Sequence, residues 1–300
     1  MGIVLETKKA IARVLIKIMS IIPDKPYLQL MYRYKMKKFF SWEHPETFTE
    51  KLQWLKLYYK DPILTTMVDK YAVKDYVTQK CGPGHVIPLL GVWNTPEEID
   101  FDKLPNQFVL KTTHGGGGCG VVICRDKATF DKEAAFKKLH TSLKTDLFVQ
   151  GREYPYRDVP RRIIAEEYAV DESGVELKDY KIFCFDGVVK MIKVDFDRFI
   201  SHHANYFTPE WELMDFGEDA SSSPVWDKDL PRPKNLELML EIAQTLSKGL
   251  PFVRIDTYNV NGTVYVGEIT FFPASGFDAY KPVEWNNIIG DWLTLPDCKI

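Results

Sequence analysis

The chain has 300 residues, 45% of them hydrophobic and 27% charged, with a formal net charge of −3 at pH 7. That is the composition of a globular protein with one large lobe or two to three smaller ones, and the balance of charge gives no reason to expect a nucleic-acid partner. Five cysteines, an odd number without a CxxC pair, argue against a disulfide framework and a zinc site and fit a reducing, cytoplasmic setting.

Residues 8–22, KKAIARVLIKIMSII, are largely apolar but carry Lys9, Arg13 and Lys17 as a stripe at i, i+4 spacing. The run is too short and too charged to span a bilayer. It reads as an amphipathic helix that packs in the core or lies against the inner face of an anionic membrane. Glu6 breaks the myristoylation pattern despite Gly2. Further helices follow within the first hundred residues. Thr47 and Glu50 form a capping box ahead of Phe48, Leu52, Leu55 and Tyr59 at helical spacing. A second helix is expected from about 66 to 79, with Lys70 and Lys74 on one face, stopped by Gly82-Pro83-Gly84.

From Phe108 the period changes to strands: FVLKTT, a glycine cluster, then VVIC. A lysine-rich helix is expected at about 130–144, strands near 162–170 and 179–194, and a loop at 215–235. A helix at 235–249 then precedes a hairpin at 252–272. Mixed helices and antiparallel strands make the class α+β.

Two features carry chemistry. Gly115, Gly116, Gly117 and Gly118 lie between two strands, with Lys111 on the incoming one. Glycines let backbone N–H groups approach phosphate oxygens, and a nearby ammonium adds charge. A Walker or dinucleotide loop would open a helix, so this strand-to-strand loop reads as a flap over phosphates. The second feature is the C-terminal hairpin, which turns at Asn261-Gly262. A type I turn with a bulge at Gly262 pairs Asp256 with Glu268. Arg254, Asp256, Glu268 and Thr270 then share one face, and Val253, Ile255, Ile269 and Phe271 the other. Opposed carboxylates repel unless a cation lies between them, and acidic oxygens completed by phosphates suit Mg²⁺. Between these features, Glu166-Glu167-Tyr168 ends a strand whose backbone suits an adenine edge, and Asp179 and Lys181 face one way at i, i+2.

The order of these parts resembles the ATP-grasp superfamily, and HPETFTEKLQWLKL, DKYAVKDYV, FVLKTTHGGGGCGVVIC, RIIAEEY, DYKIFCFDG and VRIDTYNVNGTVYVGEITFFPASG are most similar to its TupA-like family. The resemblance covers residues 40 to 277. It implies an ATP-grasp fold, with a mainly helical region at 1–105, a small lobe with the flap at 106–168 and a large lobe with the metal-binding hairpin at 169–300. ATP would lie between the lobes. Lys70, Lys111 and Lys181 would hold phosphates, Glu166, Glu167 and Tyr168 would frame adenine, and Asp179 would meet the ribose. Asp256, Glu268 and Thr270 would bind Mg²⁺, Arg254 would steady the transferred phosphoryl group, and the turn at Ser275-Gly276 would receive a substrate. Thr270 departs from the Asn that many such ligases carry at this place. The implied reaction is carboxylate activation as an acyl phosphate followed by coupling to an amine, on a sugar acid or amino acid of capsular or exopolysaccharide synthesis.

Other readings are a small-molecule kinase, a sugar-nucleotide glycosyltransferase built on Asp195-Phe196-Asp197, and a non-catalytic nucleotide binder. Asp215-Phe216-Gly217 spells a protein-kinase motif, but the lysine precedes the flap and no HRD loop occurs. His202-His203 lacks a third metal ligand at a recognised spacing.

Overall fold

The computed structural model describes residues 20–171, 174, 177–196, 203–218 and 230–297. The amphipathic run at 8–22 therefore lies almost wholly outside the described residues, as do His202 and Asp197. Among the described residues no helix is long and apolar enough to cross a membrane.

The N-terminal helices α1 (Asp24–Met36), α2 (Phe48–Tyr58), α3 (Ile63–Val68) and α4 (Ala72–Cys81) lead into β1 (Leu89–Trp93). Thr47 and Glu50 close the expected capping box at the start of α2. The single helix expected at 66–79 is instead two. Asp69 interrupts it: its carboxylate accepts the Tyr71 N–H at 2.9 Å, and the Lys70 N–H goes to Thr113 O at 3.0 Å rather than back into the helix. A buried Asp with its own backbone bond competes with helix continuation.

Two sheets follow. The smaller contains β1, β2 (Phe108–Thr112), β3 (Val121–Cys124) and β4 (Ile163–Glu167) in the order β1-β4-β2-β3. The expected helical region thus contributes β1 to this sheet. Helix α5 (Lys132–Leu143) packs on β2 and β3 and covers their apolar face, its Leu139 joining Phe108 and Leu110 in one core cluster. A short helix α6 (Leu147–Gly151) follows it.

The larger sheet has the order β10-β9-β5-β6-β7, built from β5 (Asp179–Phe185), β6 (Val188–Phe196), β7 (His203–Phe207), β9 (Phe252–Val260) and β10 (Thr263–Thr270). The segment at 179–194 is itself a hairpin, turning at Asp186-Gly187, both at positive φ (48° and 77°). Within the expected loop at 215–235, β8 (Gly217–Glu218) pairs with β11 (Tyr280–Lys281). Helix α7 (Leu236–Ser247) packs on one face of the larger sheet, against Ile182, Cys184, Val253 and Ile255. The other face changes character along its length. At one end Phe185 and Phe252 pack on Phe48 of α2; at the other, Lys181, Asp256 and Glu268 are neighbours across β5, β9 and β10. Helix α8 (Trp285–Trp292) braces α2, with Asn286 Oδ1 accepting the Thr49 N–H at 3.1 Å.

The β9–β10 hairpin has the expected facing of Asp256 and Glu268, reached by a different route. The turn is a two-residue one, pairing Val260 with Thr263, with Asn261 and Gly262 at φ 49° and 90°. This left-handed pair matches the twist of the flanking strands, which a type I turn would splay. The extra residue is Gly267, between Val266 and Glu268. The Tyr258 ring occupies the space above it: a Cβ on Gly267 would stand 2.3 Å from that ring. Gly267→Ala should therefore cost about 1–3 kcal/mol, the usual penalty of overpacking, read as a lower urea midpoint at unchanged m-value.

Candidate active site

A cleft of about 280 Å³ opens between the two sheets, bordered by the flap, the β4 end and the β9–β10 hairpin. Strand alternation sorts its walls. On β2, Phe108, Leu110 and Thr112 point into the core, and Val109 and Lys111 face the cleft.

The flap glycines divide into two kinds. A Cβ on Gly115 would meet Cys119 O at 2.5 Å, and one on Gly120 would meet Ser142 and Thr112 hydroxyls at 2.3 Å, so these two permit close packing. Gly117 and Gly118 have φ of 57° and 75° and open space around them. Together they make the tight flap tip that borders the cleft, which Gly116 does not.

Lys111 Nζ lies 2.5 Å from Glu166 Oε2, a diagonal neighbour across β2 and β4. The other Glu166 oxygen pairs with Lys74, which also donates to Ile87 O at 2.7 Å. Burial opposes the charge on Glu166, yet Lys111 and Lys74 together hold its carboxyl below the usual range. The Glu166 side chain therefore anchors two lysines rather than facing a base. Lys70, delivered by the break after α3, donates to Glu268 Oε1 at 2.5 Å and to the flap carbonyl of Gly115 at 2.6 Å. The break is fixed in turn by Arg162, which donates to Asp69 at 3.0 Å and lies over the Tyr71 ring.

Asp256 is 3% exposed and accepts a bidentate pair from Arg254, at 2.6 and 2.7 Å. Burial outweighs the neighbouring Arg254 and Lys181 and pushes its carboxyl up to about 6. Glu268 runs the other way: burial would raise it, but Lys70 and Arg254 hold it below the usual value. Among the described residues nothing bonds to Glu268 Oε2, which is open toward the cleft.

Of the residues singled out in the sequence, Lys70, Lys111, Glu166, Glu167, Tyr168, Asp179, Asp256 and Glu268 border this cleft, with Gly115, Gly117 and Gly118. Lys181 does not. It is buried between Asp179 and Asp195, at 2.6 Å from the latter, so its ammonium is neutralised inside the sheet rather than offered to a phosphate. Thr270 lies behind Arg254, its hydroxyl accepting from the guanidinium at 3.2 Å, and also stands outside the cleft. Ser275 and Gly276 form a separate turn held by α2. Asp195 of the DxD-like triplet is 2% exposed and taken by Lys181 and Lys193. Phe216 of the kinase-like triplet stacks on Trp285 at 4.1 Å.

Sequence reading set Lys74 beside Lys70 without giving it a role, and it missed Arg125, the apolar wall and Tyr258. Arg125 donates to the Tyr168 hydroxyl at 3.2 Å, closing the hinge end of the cleft. The wall combines Ile87, Val109, Ile123 and Leu177. Val109 was legible as the i−2 neighbour of Lys111 on one strand face; Ile87 and Leu177 come from distant segments and carry no local sign.

A sequence profile described as TupA-like ATPgrasp matches residues 50–294. The chain belongs to the TupA-like ATP-grasp family. Its fold is accordingly the ATP-grasp fold, with the flap and the β9–β10 hairpin facing across the cleft. No curated protein sequence matches the chain. Among solved structures it is similar to D-alanine–D-alanine ligase from Helicobacter pylori, at 15% identity and a TM-score of 0.40 over 76% of this chain and 61% of that one. It is also similar to the ADP complex of PurK, N5-carboxyaminoimidazole ribonucleotide synthetase, at 15% identity and a TM-score of 0.45 over 74% of this chain and 50% of that one. A RimK-domain ATP-grasp protein from Sphaerobacter thermophilus matches at 12% identity and a TM-score of 0.41, over 77% and 69%. The chain thus spans less than two thirds of the first two of these structures.

The paired lysines give a test of the site's construction. Glu166→Ala leaves two ammonium groups facing one another in a buried place, and removing one member of a buried ion pair typically costs about 3–5 kcal/mol. Urea denaturation should show a loss of that size, and adding Lys74→Met should restore part of it.

Proposed function

We propose that the chain is an ATP-dependent ligase that activates a carboxylate as an acyl phosphate and couples it to an amine. The observation that carries this reading is one cleft bordered by two cations, Lys70 and Lys111, by a glycine flap and by the opposed carboxylates Asp256 and Glu268. The apolar wall and the backbone at Glu167–Tyr168 suit adenine, and Asp179 at the same rim suits a ribose hydroxyl. Lys111 and Lys70 border the cleft and would meet phosphate oxygens, which the flap tip would cover with backbone N–H groups.

The donor set suits Mg²⁺. Glu268 keeps one carboxylate oxygen open, Asp256 stands directly opposite, and both are hard oxygen ligands that phosphates can complete. Thr270 is bonded to Arg254 and stands outside the cleft, so this reading gives the metal to the two carboxylates. When bound, the metal would screen the charge on the phosphates. Arg254 does not border the cleft, and its fork is engaged by Asp256 and Thr270. It would steady the transferred phosphoryl group from behind Asp256, by fixing that carboxylate and adding positive charge where negative charge develops. Lys70 shifts its contacts from Glu268 and Gly115 O toward phosphate, and in doing so ties the flap to nucleotide binding.

The acid we propose is a uronic acid of polysaccharide synthesis, a choice that rests on the resemblance to the TupA-like family. With carboxyl-labelled [¹⁸O]glucuronate as the first acid of a panel, ADP release should depend on the acid, and label should pass into inorganic phosphate. Retention of all label in a stable phosphate ester would establish a kinase instead. Lys111→Ala should lower turnover tenfold or more, since one charge-assisted phosphate contact is worth about 1.5–3 kcal/mol; steady-state ADP release reads this directly.

A further inference from the structure

Beyond the end of β10 lies a second polar constellation that nucleotide binding does not use. Ala274, Ser275 and Gly276 all have positive φ, at 43°, 55° and 68°. Two successive non-glycine residues in this region persist only where the surroundings hold them. Here the holder is α2. Lys56, 2% exposed, donates to Ser275 O and Ser275 Oγ, each at 2.8 Å, and Gln53 donates to Gly276 O at 2.9 Å. The Phe272 and Phe277 rings flank the ammonium at 5.7 and 5.1 Å.

The direction of the hydrogen bonds follows from the donor inventory. An ammonium only donates, so the Ser275 hydroxyl accepts from Lys56 and sends its own proton to Glu153 Oε1, 2.6 Å away. Gly151 makes room for this pair, since a Cβ there would stand 2.6 Å from Glu153 Oε1 and 3.0 Å from Ser275 Oγ. The second oxygen, Glu153 Oε2, has no hydrogen-bond partner among the described residues, and Glu153 is only partly buried. The residues that follow, Tyr154–Tyr156, pack against α3, which also contacts β10, and Tyr156 feels the charges of Glu268, Glu153, Arg254 and Asp256. Glu153 therefore meets Ser275 just past the end of β10, the strand that carries Glu268.

The geometry points to Glu153 as the group that receives the acceptor amine, with Oε2 holding an ammonium ion and taking its proton, and with Ser275 and Lys56 as positioning residues. This inference rests on the ligase reading. An alkylammonium is not a nucleophile until one proton has left. That proton goes to Glu153. The freed nitrogen lone pair attacks the acyl carbon, the carbon–oxygen bond to the phosphoryl group breaks, and the second nitrogen proton leaves with the phosphate as hydrogen phosphate. Burial raises Glu153 above the usual carboxyl range despite Lys56, which makes it a better proton acceptor than an exposed carboxylate. Burial also pushes Lys56 down to about 8, partly offset by Glu153.

The test compares two nucleophiles on the same acyl phosphate, formed from ATP and glucuronate. Hydroxylamine is neutral near pH 7.5 and needs no base; ammonium chloride does. In Glu153→Gln, which keeps an oxygen for Ser275, the ratio of ammonium-derived amide to hydroxamate should fall at least tenfold. Ser275→Ala should lower it in the same direction by less. An unchanged ratio in Glu153→Gln, whether both products persist or both decline together, would overturn the assignment. Failure of the wild-type protein to pass label from any acid to phosphate would instead overturn the ligase reading itself.

Discussion

Two carboxylates set directly opposite each other on neighbouring strands repel, and the rest of the site is arranged around that repulsion. Asp256 and Glu268 face each other because Gly267 is the extra residue of the hairpin. Without that bulge, alternation would send one of them into the core beside Ile255 and Ile269. Cations from three separate parts of the chain then surround the pair: Arg254 from the same strand, Lys181 from β5 and Lys70 from the break between α3 and α4. Removing any of these leaves a buried charge with less compensation, which is the costly half of any buried ion pair.

The same constraint explains why the N-terminal helices belong to the site. Lys70 reaches Glu268 only because Asp69 ends α3 and because the Lys70 N–H is bonded to Thr113 O, at the root of the flap. One short segment thus touches the flap, the opposed carboxylates and, through Arg162, the entry to β4. The flap and the neutralisation of Glu268 are joined through it, since Lys70 donates to both Gly115 O and Glu268. At the far side, α2 serves the Ser275 turn in the same manner, with Lys56 and Gln53 fixing a backbone that β10 alone would not adopt.

Local patterns were legible in the sequence and distant partners were not. The capping box at Thr47, the glycine flap and the facing of Asp256 and Glu268 depend on spacing and strand alternation, which a sequence carries openly. The position of the bulge depends on the Tyr258 ring, nine residues away across the hairpin, so Asn261-Gly262 drew the expectation to the wrong glycine. The helix break at Asp69 depends on Thr113 and Arg162, and its local signal, an Asp within a helical pattern, is weak. Lys181 looked like a phosphate ligand because it alternates with Asp179 on one strand. It pairs with Asp179, and its second partner, Asp195, lies on the next strand, beyond any one-strand pattern. Strand β1 gave no sign for the same reason: its neighbour in the sheet is β4, some seventy residues later.

The central claim is that the opposed carboxylates bind magnesium against a nucleotide held in the cleft. Calorimetric titration with ADP, in the presence and absence of Mg²⁺, tests it most directly when wild type is compared with the Asp256→Asn/Glu268→Gln double variant. Magnesium should tighten ADP binding to the wild type, and that gain should vanish in the double variant even though loss of two negative charges favours the anion itself. A magnesium-dependent gain of equal size in both proteins would contradict the account.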